Sequence, residues 1–123
     1  MSIINKYHPY NVKINDWSNI EDQFNTWFGQ HYQSNMAELV RHIINTKLSE
    51  RLFGASSWDK LIISIYNPIE WNRESLHVNF DTEKDEWHFV YYATPFLQPE
   101  FVRTYPFEKG IEKFDQFIKM INW

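Results

Sequence analysis

The fold of this chain is decided by two runs of alternating apolar and polar residues in positions 76–92, LHVNFDTEKDEWHFVYY. Strict alternation is typical of a β-strand with one buried face, because successive side chains point to opposite sides of a strand. The polar residues at positions 82–85, TEKD, separate the two runs. The stretch therefore predicts a β-hairpin whose strands are joined by an acidic turn.

The register of this hairpin follows from its hydrophobic pattern, because a slip of one residue would move every apolar side chain to the other face. Pairing Asp81 with Glu86 brings the apolar residues together on one face, which carries Leu76, Val78, Phe80, Trp87, Phe89 and Tyr91. The opposite face, called the outer face below, carries His77, Asn79, Asp81, Glu86, His88, Val90 and Tyr92. We expect helices to cover the apolar face and leave the outer face exposed.

The segments on either side of the hairpin supply those helices. Apolar residues at helical spacing predict helix one over 16–28 and a second helix from Asn35 that continues through Leu52 to Gly54. The apolar run 61–66 predicts a strand buried on both faces, in the centre of its sheet. Prolines limit positions 95–106 to a short edge strand, and residues 111–121 again follow helical spacing.

This order of elements predicts an α+β fold. We expect two N-terminal helices, a three- or four-stranded antiparallel meander sheet and a C-terminal helix, with the helices packed mainly on one sheet face. The chain has 123 residues, of which 43% are hydrophobic, so one core and a single domain over 1–123 are expected.

Composition excludes several classes of function. The net charge is −4 and the twelve Lys and Arg residues are scattered, which argues against a nucleic-acid partner. Cysteine is absent, so disulfides, thiolate zinc sites and cysteine nucleophiles are excluded. The first ten residues, MSIINKYHPY, lack the apolar core of a secretion signal, and no stretch is apolar enough to span a membrane. We expect a cytoplasmic protein with no membrane partner.

The outer face of the hairpin is the first candidate site. His77, His88 and Asp81 together are a donor set for a zinc-like ion or an acid–base pair. A half-exposed strand also places polar residues outward without any such role, and we adopt this simpler interpretation, which predicts no metal and no cofactor. Motifs of hydrolases, phosphate loops, dinucleotide folds and zinc proteases are missing from the sequence, so no catalytic residue and no enzyme is predicted.

The acidic turn and one loop tryptophan are the second candidate site. Asp81, Glu83, Asp85 and Glu86 form either a solvated turn or an anionic surface for a basic partner, and they lack the spacing of a calcium loop. Trp71, in the loop before the hairpin, either caps the core or anchors a partner.

The stretches LHVNFDTEKDEWHFVYY and PFEKGIEKFDQFIKMINW, in a chain of this size and charge, resemble immunity proteins of bacterial contact-dependent growth inhibition and related polymorphic toxin systems. The resemblance implies a cytoplasmic inhibitor that binds the C-terminal domain of a cognate toxin, often a nuclease, and occludes its active site. It carries over no residue role. The predicted partner-binding residues therefore come from the sequence pattern, and they are Trp71, Asp81, Glu83, Asp85, Glu86, His88 and Tyr92. The oligomeric state is not predicted.

Two alternative functions stay open at this point. One is a small-ligand-binding or enzymatic domain, in which a curved antiparallel sheet forms an aromatic-lined pocket with polar groups from His77, Asp81, His88 and Tyr92. The other is a carbohydrate binder that uses Trp and Tyr side chains as platforms.

Overall fold

The computed structural model describes residues 15–27, 34–57, 60–67, 69, 73–94 and 97–123. Its helices are α1 (Trp17–Asp22), which continues as a π-helical turn over Gln23–Trp27, α2 (Ser34–Ile44) and α3 (Gly110–Met120). Its strands are β1 (Phe53–Ser57), β2 (Lys60–Ser64), β3 (Ser75–Asp81), β4 (Glu86–Tyr92) and β5 (Phe101–Pro106). Within these described ranges, no helix has the length and apolar character needed to cross a membrane.

The five strands form one open antiparallel sheet in the order β1-β2-β3-β4-β5, so each strand pairs with the next along the chain. The predicted α+β class and meander order are confirmed, whereas the predicted number of three or four strands is wrong. The predicted hairpin register is confirmed, since Asp81 lies opposite Glu86 and Asn79 lies opposite His88. The expected short edge strand is β5, with six residues.

Strand β1 is the element that the sequence pattern did not predict. Its residues Gly54, Ser56 and Ser57 are typical of turns, yet β1 pairs with β2 along its whole length. The reason is a tertiary contact, because the indole ring of Trp17 packs directly on Gly54 where any β-carbon would collide with it. The Trp17 indole N–H also donates to the Leu52 carbonyl at 3.0 Å. Gly54 is therefore selected for packing and does not end a helix.

Helix α2 ends earlier than predicted. It stops at Ile44, and a 3₁₀ turn over Lys47–Glu50 follows. The Thr46 side chain interrupts the helix, because its Oγ1 donates to the Ile43 carbonyl at 3.3 Å and accepts from the Leu48 amide at 3.4 Å. Leu48 still packs in the core, so the apolar residues predicted for one helix face are buried although the helix is interrupted.

The core lies between the three helices and one face of the sheet. Buried residues from α1, α2 and α3 join the apolar face of the hairpin in a single cluster. Phe89 is at its centre, with ring centroids of Tyr105, Phe117 and Phe114 at 5.3, 5.7 and 6.1 Å. The helices thus cover the face that the alternation pattern predicted.

Strand β2 is buried on both faces, as predicted. Leu61 and Ile63 belong to the main core, while Ile62 packs with Ala55 and Ile69 in a small cluster on the outer side. β2 is an interior strand, paired with β1 and β3, although β3 occupies the middle position of the sheet. Without β1 it would be an edge strand, so β1 is what gives β2 a neighbour on each side.

Candidate functional site

The outer face of the sheet carries most of the residues that the sequence predicted for a site. Strands β3 and β4 place His77, Asn79, Asp81, Glu86, His88, Val90 and Tyr92 there, and all of them are half-buried. Strand β5 extends this face with Val102 opposite Val90 and Thr104 opposite His88, both exposed. The outer face is thus a broad surface of polar and apolar side chains on the side of the sheet opposite to the helices.

Three polar side chains converge at the turn end of this face. The His88 Nε2 atom lies 3.4 Å from Glu86 Oε1 and 3.8 Å from Asp81 Oδ2. Each of these side chains is less than one-third exposed, at 28–29%. Ligand atoms from all three lie within 4.8 Å of one another. We call Asp81, Glu86 and His88 the turn-end cluster.

The geometry of the turn orients Asp81. Its Oδ1 atom accepts from the backbone amides of Glu83 at 2.9 Å and Lys84 at 3.2 Å, which leaves Oδ2 directed toward His88. Asp85 completes the turn in a left-handed conformation, with φ of 51°, which Asp tolerates better than most residues. Its carbonyl accepts from the Phe107 amide at 3.0 Å, so the turn is tied to the segment after β5.

Glu83 and Asp85 display their carboxylates to solvent beside this cluster. Together with Asp81 and Glu86 they place four carboxylates at one end of the hairpin, with Lys84 as the cation between them. The acidic residues therefore lie at the turn of the hairpin, as predicted. Its role in binding a partner stays a prediction.

His77 occupies a different environment from His88. Its ring packs edge-on against Tyr92 at 5.0 Å, and its Nε2 atom lies 3.2 Å from the Ser75 hydroxyl. Burial, and secondarily the positive charge of Lys60, lower the pKa of the His77 imidazole from 6.5 to about 4. The imidazole is therefore neutral at neutral pH. The candidate metal or acid–base site therefore contains one imidazole and two carboxylates, and not the two imidazoles that the sequence suggested.

The predicted partner-binding residues do not all lie together in the structure. Tyr92 lies opposite Ser75, six positions along β4 from Glu86, which is about 20 Å at the usual rise of a strand. It belongs to the far end of the outer face with His77. Trp71 lies outside the described residues.

A groove between α2 and α3 was not predicted. It has a volume of about 250 Å³ and is lined by His42, Thr46, Lys47, Leu48, Arg51, Asp115, Ile118 and Lys119. At its wall His42 Nε2 lies 2.8 Å from Asp115 Oδ1. His42 lies on α2 and is half-buried. In the sequence, the charged residues that flank the apolar stripes of both helices could have indicated this groove.

The proline-containing segment 94–105, which includes most of β5, carries several apolar side chains that a partner could contact if they were exposed together. Phe101 and Tyr105 instead turn inward and pack against the core. Leu97, with 64% of its surface exposed, and Val102, with 55%, are the exposed apolar side chains of this segment among its described residues.

Comparison with known proteins adds no family to this picture. No protein-family model, no curated protein and no solved structure matches the chain.

Proposed function

We propose that this chain is an immunity protein that binds the C-terminal domain of a cognate bacterial toxin and neutralises it by covering its active site. The observation that carries the proposal is the acidic turn at the end of the β3–β4 hairpin. Asp81, Glu83, Asp85 and Glu86 present four carboxylates within six consecutive residues. A toxin that acts on nucleic acid needs a basic cleft for phosphate groups, and such a cleft is the surface that these carboxylates complement.

The fixed geometry of the turn favours this role. Backbone amides of Glu83 and Lys84 donate to Asp81, and the Phe107 amide donates to the Asp85 carbonyl. A surface that is already ordered loses less conformational entropy when a partner binds. The carboxylates are thus held in position before the encounter, while their charge accelerates it.

The acidic turn alone is too small for a stable complex. A specific interface buries about 800 Å² on each partner, so it must extend beyond the turn. The outer face next to the turn offers Val90, Val102 and Thr104, of which Val102 is 55% exposed. In this proposal the valines form the apolar centre of the interface and the carboxylates its charged rim.

The pocket alternative finds less support. The rings that would line a pocket, such as Phe89, Phe114 and Phe117, pack against one another in the core. The polar groups assigned to that pocket lie on the outer face, with the sheet between them and those rings. An aromatic-lined pocket with these polar groups is therefore not the arrangement found in the described part of the chain.

The proposal is tested by co-expressing this chain with the toxin domain encoded beside its gene and following cell growth. We expect the wild-type chain to restore growth by forming a complex that co-purifies. The test variant combines Glu83→Lys with Asp85→Asn, which changes the charge of the turn while Asn keeps the left-handed conformation. We expect this variant to lose most of the rescue.

The matched control combines Glu38→Lys with Glu50→Gln, which changes net charge by the same amount at exposed positions of α2 and the following 3₁₀ turn. It should rescue growth like the wild type. If neither the wild type nor the control restores growth, the immunity function is refuted. If the turn variant and the control restore growth equally, the interface does not include the turn.

A further inference from the structure

The turn-end cluster combines donors that transition metals prefer. His88 offers an imidazole nitrogen, and Asp81 and Glu86 each offer a carboxylate oxygen, all within 4.8 Å of one another. One imidazole with two carboxylates suits zinc and related divalent ions of the first transition row. The cluster therefore differs from the rest of the turn, where the possible ligand groups are the carboxylates of Glu83 and Asp85.

The separation of His88 from Glu86 equals the edge of a coordination tetrahedron, and the separation of His88 from Asp81 is slightly longer. Two ligands about 2.1 Å from a zinc ion in tetrahedral geometry are about 3.4 Å apart. His88 Nε2 lies 3.4 Å from Glu86 Oε1 and 3.8 Å from Asp81 Oδ2. A direct N–H···O hydrogen bond is shorter, at about 2.7–3.2 Å. Both His88 distances are longer than a hydrogen bond and leave room for an ion among the three groups.

A second observation concerns the nitrogen itself. His88 Nε2 is inaccessible to solvent and makes no hydrogen bond to any described part of the chain. A buried polar atom without a hydrogen bond is destabilising, so such atoms are rare unless a ligand satisfies them. This atom faces two carboxylate oxygens, and a bound cation would satisfy all three.

The cluster is also held in place without an ion. The Asp81 Oδ1 atom is occupied by two backbone amides, so its carboxylate cannot rotate freely and Oδ2 stays toward His88. Glu86 and His88 lie two positions apart on β4, and Asp81 is paired across from Glu86 on β3. Ligands from two paired strands need little rearrangement to bind, which lowers the cost of ordering the site.

We propose that Asp81, Glu86 and His88 bind one zinc-like divalent transition-metal ion at the turn end of the outer face. Three protein ligands leave the fourth tetrahedral position to water, as in open zinc sites. The inference goes beyond the proposed function, because it concerns the isolated chain and needs no toxin. It also revises the expectation that the chain holds no metal.

The test titrates Zn²⁺ into chelator-treated protein at neutral pH and follows the heat of binding by calorimetry. We expect binding of one ion per chain, and a Co²⁺ substitute should show the intense visible absorption of a tetrahedral site. His88→Gln should weaken Zn²⁺ affinity by more than about 100-fold, since it removes the nitrogen ligand. Asp81→Asn and Glu86→Gln should each weaken it by about 10-fold or more, because each removes a charged ligand and even changes to partners outside the ligand shell cost about 10- to 100-fold.

The matched control is His77→Gln, which changes the other histidine of β3 and β4 and leaves the cluster intact. It should bind Zn²⁺ like the wild type. Far-ultraviolet circular dichroism verifies that each variant is folded, and Zn²⁺ should raise the melting temperature of the wild type and the control but not of His88→Gln. Absence of Zn²⁺ binding by the wild type would overturn the proposal. So would binding that His88→Gln leaves unchanged.

These outcomes are separable from those of the immunity proposal. The growth-rescue variants change Glu83 and Asp85, which are outside the cluster, and the metal variants are assayed without a partner. Failure of one experiment therefore leaves the other proposal standing.

Discussion

The two faces of the hairpin are built from alternate residues of the same strands, yet they have different roles. On the helix-covered face Val78 and Phe89 pair across β3 and β4, and both are fully buried. On the outer face the neighbouring pair Asn79 and His88 is half-buried and polar. The comparison teaches that one face provides stability through apolar burial, whereas the other keeps polar side chains partly exposed.

The largest difference between the faces is expected for truncation of Phe89. Phe89→Ala should lower the free energy of unfolding by about 3–5 kcal/mol, because it leaves a cavity among the rings of the core. Val90→Ala, one position along the same strand but on the outer face, should cost about 1 kcal/mol or less. Denaturant unfolding measures both values. Equal losses would show that the outer face contributes to stability as much as the core.

The second prediction concerns pH, because the His77 end of the outer face is more buried than its polar character suggests. The pKa of His77 is about 4 in the folded chain and close to its ordinary value of 6.5 when unfolded. The unfolded chain therefore binds more protons between these values, and stability falls as pH decreases from 6.5 to 4. His77 should account for about 1–3 kcal/mol of this loss, since one pKa unit corresponds to about 1.4 kcal/mol.

The control for this prediction is His77→Gln, whose free energy of unfolding should depend less steeply on pH over the same interval. The measurement is denaturant unfolding of both proteins at several pH values. Parallel pH profiles of the wild type and the variant would show that His77 is as well solvated as an ordinary surface histidine.

The third prediction tests how tightly the C-terminal helix is packed on the apolar face. Gly110 begins α3 against the Trp87 ring, whose indole N–H donates to the Phe107 carbonyl at 3.0 Å. Alanine normally favours a helix over glycine by about 1 kcal/mol. Here Gly110→Ala should destabilise by about 1–3 kcal/mol, because a β-carbon would overlap the ring.

Gln116→Ala, at an exposed position of the same helix, serves as the comparison for Gly110→Ala and should be nearly neutral. Thermal unfolding measures both variants. A gain in stability for Gly110→Ala would mean that Trp87 moves aside at little cost.

The smallest effect is expected at the turn, which belongs to neither face. Asp85 has φ of 51°, a conformation that glycine adopts without strain. Asp85→Gly should therefore change the free energy of unfolding by less than about 1 kcal/mol, with stabilisation the expected sign. Asp85→Val should destabilise, because a β-branched residue is disfavoured there. The two variants are compared by thermal unfolding, and equal stability would contradict the assigned turn conformation.

The same comparison explains what the sequence could predict. The faces, the register and the joining of Asp81 to Glu86 all follow from alternation, because the side-chain period of a strand is two. Alternation places both imidazoles on one face, and the register decides which of them lies near the carboxylates. His77 lies four positions before Asp81 on β3, about 13 Å at the usual rise of a strand, whereas His88 lies two positions from Glu86 on β4.

Strand β1 and the early end of α2 were not predictable for a related reason. Gly54 is explained by the ring of Trp17, a residue 37 positions earlier in the chain. Thr46 ends α2 through its own side-chain hydrogen bonds, although Leu48 and Leu52 continue the helical spacing. Long-range packing and local side-chain competition therefore override patterns that periodicity alone suggests.

The most direct test of the central claim is the rate at which the chain associates with the toxin domain that we propose it neutralises. Surface plasmon resonance measures this rate for the wild type, the Glu83→Lys/Asp85→Asn variant and the Glu38→Lys/Glu50→Gln control. Each is measured at low salt and at about 0.15 M salt. We predict that the turn variant associates about 10-fold or more slowly at low salt, with a smaller difference at higher salt, because charge steers the encounter. Equal slowing by the turn variant and the control would contradict a binding role for the acidic turn.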